Sequence, residues 1–474
     1  MNWWNLIFFI AFILGTAWIG VTAGRRDTRT REDFLVGNRQ VGTTFLAAIL
    51  IATWASSYTI LASAEVGYLY GVSGALWYAV GVAVPILFFL FPVNLVRRIR
   101  AAAPRAYTVV EYIGSRFDRK THLLALVIMF TGTILEVVAQ TYGLSMTLLS
   151  FAGLSPKIGV WLVGSAFVVA VSSGGEWSLA AINYMLLIVM GIAFPTVIAV
   201  GLLVIGGPDA VVQLPANHRD LLAWGPANML NFFLLLTALT LTEPVIWQQI
   251  FAGRSDRGVA KAVGAMSLGW IPLALAGGLF GLMGAHYFGV GMLRDPSSVA
   301  PNFVQSALPQ WVGITFLIGL TAVHVSTAAG YLLSAVAITE VDVLQRYVPH
   351  SDRFSRSLGN TRLVAVSIGL VAIILSQFAG SQFRLLLLQS SFKVPILFPL
   401  IAGLFLPPRW LSGDGAFYGT LVGLVAGVSI YSFRWSVGGL PSDLAGTLAA
   451  LLLYIVFSLS ISRLGARGAV KRES

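Results

Sequence analysis

The sequence contains no cysteine, so neither a disulfide framework nor thiolate chemistry can be built from it. Charge is scarce: only 10% of the residues are Asp, Glu, Lys or Arg, against roughly 25% in a soluble domain. The five histidines stand far apart, at 122, 218, 286, 324 and 350. No metal-ligand cluster, G-x-S-x-G elbow, P-loop or GxGxxG after a strand can be found. That removes the usual nucleophile–base and metal constellations of an enzyme, and with them an ATP-driven cycle carried by this chain. No polar stretch is long enough for a soluble domain either; the longest are 24–42, 97–121, 207–228, 289–310 and 346–361.

What is abundant is apolar sequence: 57% hydrophobic residues and a mean hydropathy of +0.83, which predict an all-α polytopic membrane protein forming one domain over 1–474. Windows of about 20 apolar residues, the length that crosses the hydrocarbon core, fall at 3–23, 43–70, 73–96, 122–151, 157–173, 179–206, 229–251, 262–288, 311–338, 363–380, 384–407, 415–433 and 444–462. That is about thirteen transmembrane helices, and an odd number puts the termini on opposite sides. With the N-terminus outside and the C-terminus cytoplasmic, 24 of the 30 Lys and Arg residues lie on the inner side, five on the outer, and Lys393 within a span, the asymmetry expected of a plasma or inner membrane protein. Spread over several loops, these bases suit anionic lipid heads rather than nucleic acid. No basic residue precedes the first window and Arg25-Arg26 follows it, the reverse of a signal peptide. The segment 97–121, where Arg alternates with Tyr107, Val109, Tyr112 and Phe117, suits an interfacial helix or a plain cytoplasmic loop.

Ionisable residues inside the windows are few: Glu65, Glu136, Glu243, His324 and Lys393, with His286, Glu340 and Asp342 nearer span ends. Each costs at least about 2.5 kcal/mol at the centre of a lone helix, so it faces a cavity or a partner. Glu243 adjoins Pro244, where the helix loses a backbone bond and kinks; this is either a packing kink or a mid-membrane opening of the kind that carriers use. Span 2 has a polar centre, Thr53, Ser56, Ser57 and Thr59 beside Ala52 and Ala55, readable as close-packing glue or as a break, though no Gly or Pro there demands one. In "VHVSTAAGYLLSAVAITEVD", Ser326 and Thr327 both lean toward the carbonyl of Val323. They either bond back to their own helix or present oxygens to a hard cation.

Several stretches occur in the order found in the sodium/solute symporter family, whose relatives include proline, pantothenate and sugar symporters: "EDFLVGNRQVG" (32–42), "YTVVEYIGSRFD" (107–118), "AQTYGLSMTLLSFAGLS", "EPVIWQQIFAGRSDRGVAKA" (243–262), the Ser326-Thr327 stretch, and "GLFLPPRWLSGDGAFYGTLVG" (403–423). The chain resembles that family over most of its length. The resemblance implies a five-plus-five inverted-repeat (LeuT-like) core with discontinuous helices 2 and 7, the repeats being 43–206 and 229–407, and 1–42 and 408–474 peripheral. It implies a sodium ion held by the carbonyls of Ala52, Ala55 and Val323 and the hydroxyls of Ser326 and Thr327. Beside it the resemblance implies a solute site at Trp54, Ser57, Gln140, Thr237, Thr240, Glu243, Gln389 and Lys393. Val323 departs from the small residue usual in relatives. Trp54 stands where proline symporters would have Asp, and Leu236 and Thr240 where they would have aromatics, which argues against proline.

The expected function is sodium-coupled symport of a small organic solute, such as an amino acid or carboxylate, by alternating access, with no nucleic acid and no obligate protein partner. Glu243 and Lys393 could clasp a zwitterion, bind a carboxylate through the lysine, or neutralise each other. Proton coupling through Glu243, Glu136 or His324 is the alternative; a solute-sensing module of the same fold is another, although no kinase or receiver pattern follows the last window.

Overall fold

The computed structural model describes residues 2–348, 357–379, 382–407, 410–433 and the isolated positions 452, 455 and 456; the window 444–462 and the loop around His350 lie largely outside them. Long helices dominate, and local sequence accounts for their ends. Helix α1 (Trp3–Asp27) starts on Asn2, whose side chain accepts from the Asn5 amide, and ends on Arg25 and Arg26, bases placed at the negative pole of the helix dipole. The next long elements are α2 (Thr43–Trp54) and α3 (Ser57–Leu87). Helix α4 (Arg119–Ala152) is capped by Asp118, which accepts from the Thr121 amide, and stops at Gly153 in the left-handed conformation. Then come α5 (Pro156–Val204), α6 (Pro226–Thr242), α7 (Pro244–Ala252), α8 (Asp256–Phe288), α9 (Gln310–Ile338), α10 (Leu358–Ser376), α11 (Gln382–Lys393), α12 (Leu397–Phe405) and α13 (Gly413–Phe433).

Among the described residues, nine helices are long and apolar enough to cross a membrane, or up to ten if the bent pair α6–α7 is one span. This is fewer than thirteen windows for an identifiable reason. The 49 residues of α5 would measure about 74 Å as one rod at 1.5 Å per residue, more than twice a bilayer core. Instead the chain turns at Gly175 (φ 54°), and α3 turns likewise at Gly71 (φ 66°), so each merges two of the windows. Only glycine fits these turns: a Cβ at Gly71 would lie 2.0 Å from the carbonyl of His218, and one at Gly175 2.1 Å from that of Phe34. Segment 97–121 forms two short helices, Leu95–Ala102 and Val109–Arg116, the second burying Val109, Val110, Tyr112 and Ile113.

Burial separates core from periphery. In the helix that begins at Gln310, 83% of the most apolar window is buried, against 28% in α1, whose Trp3, Trp4 and Trp18 are exposed as befits lipid. The far end of α9 is pinned by buried polar contacts: Asp342 accepts from Thr108 Oγ1 at 2.6 Å and meets His122 Nε2 at 3.0 Å, while Glu340 pairs with Arg31 at 3.1 Å. Helices α3 and α8 approach through small residues, the device by which membrane helices gain contact without a hydrophobic driving force. A Cβ on Gly281 would sit 2.1 Å from the Ala64 carbonyl. We therefore expect Gly281→Ala to lower the melting temperature of the detergent-solubilised protein by several degrees, whereas Gly191→Ala, with nothing within 4 Å, leaves it unchanged. A short parallel bridge ties Val41, ahead of α2, to Gly253, just after α7: the Val41 amide donates to Ala252 O at 3.2 Å and the Arg254 amide to Val41 O at 3.1 Å.

Candidate functional site

Two helix interruptions build the site. The first lies between α2 and α3, where Ala55 (φ −71°, ψ 64°) and Ser56 (φ −69°, ψ 172°) leave the helical region. The Ser56 amide turns to the Trp54 carbonyl at 2.8 Å, and the Thr59 amide to the Ser56 carbonyl at 2.9 Å. The carbonyls of Ala52 and Ala55, which those amides would meet in an unbroken helix, thus drop out of the i→i−4 ladder.

Helix α9 crosses this interruption closely, since a Cβ on Gly330 would lie 2.4 Å from Thr53 Cγ2. Thr327 Oγ1 donates toward the Thr53 carbonyl at 3.0 Å and the Val323 carbonyl at 3.1 Å. It is therefore bonded both to its own helix and to the broken one. Ser326 does not join it: its hydroxyl is fully buried and has no hydrogen-bond partner. From the other side, Asn183 of α5 donates to Thr53 Oγ1 at 3.2 Å and keeps a buried, unpartnered Oδ1. Buried polar atoms without partners are costly, and here they are uncharged oxygens. With the released carbonyls, that donor set fits a hard monovalent cation. Next to this patch, His324 Nδ1 bonds the Leu320 carbonyl at 2.7 Å and Nε2 is buried without a partner.

The second interruption is Glu243 (φ −69°, ψ 115°), where α6 gives way to α7 with a bend of 44°. Pro244 occupies the first position of α7, where its missing amide hydrogen costs nothing. The Glu243 carboxylate takes the Lys393 ammonium at 3.0 Å on each oxygen, and the third Lys393 hydrogen goes to Gln389 Oε1 at 3.2 Å. Gln389 turns its Nε2 to Glu136, whose other oxygen accepts from Gln140 Nε2 at 2.7 Å. Gln140 Oε1 in turn receives the Ser57 amide at 3.5 Å. All five side chains of this chain, Glu243, Lys393, Gln389, Glu136 and Gln140, are buried. Of the roles open to Glu243 and Lys393, the structure contains mutual neutralisation.

A cavity of about 360 Å³ stands above the network. It extends from Trp54 and Ser56 at the first interruption to Tyr70, beside the Gly71 turn of α3, and Asn228, in the first turn of α6. Of the solute residues expected from sequence, Trp54, Glu243 and Gln389 line it; Gln140 and Lys393 stand one hydrogen bond behind its wall, and Ser57 joins through its amide. Thr237 and Thr240 bond back to Phe233 and Leu236 of their own helix at 2.7 and 2.6 Å and do not line it. Sequence reasoning passed over Tyr331, Trp270 and Asn231 as lining residues, left Glu65 without a role and gave Glu136 one only in the proton-coupled alternative. Tyr331 had a signal: it lies four residues after Thr327, hence on the same face of α9, and its ring lies 5.4 Å from Lys393 Nζ.

A family model described as the sodium:solute symporter family matches residues 34–423. A urea-proton symporter of Oryza sativa subsp. japonica is 31% identical over 146 residues, covering 31% of this chain and 20% of that protein. A probable urea active transporter of Schizosaccharomyces pombe is 29% identical over 35% of this chain and 24% of its own. The chain thus matches about a quarter or less of the length of these urea transporters. The Homo sapiens sodium/iodide cotransporter is 24% identical over 94% of this chain and 73% of that one. Among solved structures, a Na+-coupled sialic acid symporter in a substrate-bound, outward-open state superposes with a TM-score of 0.82 at 16% identity, covering 97% of each chain.

Proposed function

Because the chain belongs to the sodium:solute symporter family, we propose that this secondary transporter couples inward sodium flow to uptake of a small organic solute by alternating access. One observation supports sodium most: Thr327 of α9 is hydrogen-bonded to the broken helix beside a buried hydroxyl, Ser326, that has no partner. In this reading the carbonyls of Ala52, Ala55 and Val323 and the hydroxyls of Ser326 and Thr327 hold the ion. The chain folds as two inverted repeats, 43–206 and 229–407, within thirteen spans. The N-terminus is outside, so that the cavity opens outward past Tyr70 and Asn228.

Coupling follows from continuity of the chain. Trp54 and Ser56 line the cavity and are interleaved with the two released carbonyls at Ala52 and Ala55. Drawing those carbonyls toward an ion fixes one wall of the solute cavity, so sodium favours the conformation that binds solute. A ligand shifts a conformational equilibrium only through such differential affinity. The driving force is adequate: one sodium crossing about 100 mV yields about 2.3 kcal/mol, and a tenfold gradient adds about 1.4. Together these support accumulation of several hundredfold. The test is a melting curve in sodium against potassium at equal ionic strength. Sodium raises the midpoint by mass action, and equal curves would remove the sodium site.

A second reading, proton coupling, is favoured by the buried carboxylates of Glu136 and Glu243 and by the relative described as a urea-proton symporter. Uptake that persists without sodium and accelerates as external pH falls selects it.

A further inference from the structure

The charge around the cavity narrows the solute class. Among the described residues its wall includes three carboxyl groups, those of Glu65, Glu136 and Glu243, and no Lys, Arg or His. The nearest base, Lys393, has three N–H bonds, and all three are matched by Glu243 Oε1, Glu243 Oε2 and Gln389 Oε1; none is left for a solute carboxylate. Glu136 accepts on both oxygens, from Gln140 and Gln389. The amide orientation of Gln389 is fixed by its carbonyl taking the lysine, and that of Gln140 by its carbonyl taking the Ser57 amide. Glu65 forms no ion pair among the described residues and lines the cavity while half-buried. Three carboxyl groups against one fully occupied base make the described lining acid-rich.

Beside aliphatic residues such as Val66, Leu69, Val82 and Leu239, the wall carries a continuous run of aromatic rings. Tyr70 stacks on Trp224 at 6.1 Å, Trp224 meets Phe232 at 5.2 Å, Phe232 meets Tyr78 at 4.9 Å, and Tyr78 stacks on Trp270 at 6.1 Å. A further acceptor, Asn231 Oδ1, is buried in the lining without a partner. Aromatic faces and carboxylates around a small volume are how proteins hold an onium ion.

We infer that the solute taken by this cavity is a small organic cation, an ammonium or guanidinium compound, and not a carboxylate. The inference rests on the transporter reading above. The test is a thermal-stability series on the purified full chain in sodium and in potassium, with butylammonium, tetramethylammonium, the neutral butanol and the anionic butanoate as probes. The two cations raise the midpoint with half-saturating concentrations at least tenfold below those of butanol, and butanoate gives no shift. Glu65→Gln raises the half-saturating concentration of butylammonium by about tenfold, as loss of one charge-assisted contact implies, and leaves the sodium-induced shift in place. Butanol or butanoate matching the cations overturns the inference. If sodium alone shifts the midpoint and no cation does, the solute class is wrong while the symporter reading stands. If sodium has no effect either, that reading fails first and this one with it.

Discussion

Thr327→Ala raises the sodium concentration for half-maximal uptake by about tenfold or more, and Ser326→Ala does the same, while Thr327→Ser stays close to the parent protein. The proposed cage of neutral oxygens has no formal charge to fall back on, so loss of one of its five proposed ligands weakens it directly; tenfold corresponds to about 1.4 kcal/mol. Thr327 has a second role, because its hydroxyl donates to the Thr53 carbonyl at 3.0 Å in a buried setting. Removing that donor leaves a buried acceptor unmet, at about 1–3 kcal/mol. Thr327→Ala therefore also loses thermal stability in potassium, whereas Ser326→Ala, whose hydroxyl has no partner, does not. Sodium titration of uptake, together with melting curves in both cations, separates these effects. An unchanged sodium dependence in both alanine variants puts the ion elsewhere.

Lys393→Met is the most damaging single change we expect. Removing one member of a buried ion pair leaves the other charged and unsolvated, at about 3–5 kcal/mol, and here Gln389 loses its donor as well. The protein should express poorly and melt far below the parent. Pairing that change with Glu243→Gln removes the stranded charge, and most of the stability returns, because exchange of a whole buried pair for uncharged groups is often nearly neutral. A double-mutant cycle of melting curves measures the coupling. A single Lys393→Met variant as stable as its parent contradicts the geometry of the network.

The membrane fold was legible because hydrophobic windows are a property of local sequence. The bend at Glu243 was legible for the same reason, through Pro244. The interruption at Ala55–Ser56 was not, since neither residue forces one. The partners that meet it come from afar: Thr327, 274 positions from Thr53, and Gln140, 83 positions from Ser57. Local reading could not tell which hydroxyls would be free, either. Thr237 and Thr240 bond their own helix, whereas Ser326, of the same chemistry, is left over. Lys393 looked available to a solute because its partner is 150 positions away, and the aromatic wall unites Tyr70, Tyr78, Trp224, Phe232 and Trp270 from helices and loops that no pattern joins.

The two-bond clasp between Val41 and the strand-like end at Ala252–Arg254 yokes the entrance of one interrupted helix to the exit of the other. Neither segment can swing by more than a hydrogen bond's slack without dragging its counterpart. A rocking motion that opens one face must carry both as a single lever, and spectroscopic labels at positions 40 and 255 would keep their separation while distances to the surrounding helices change.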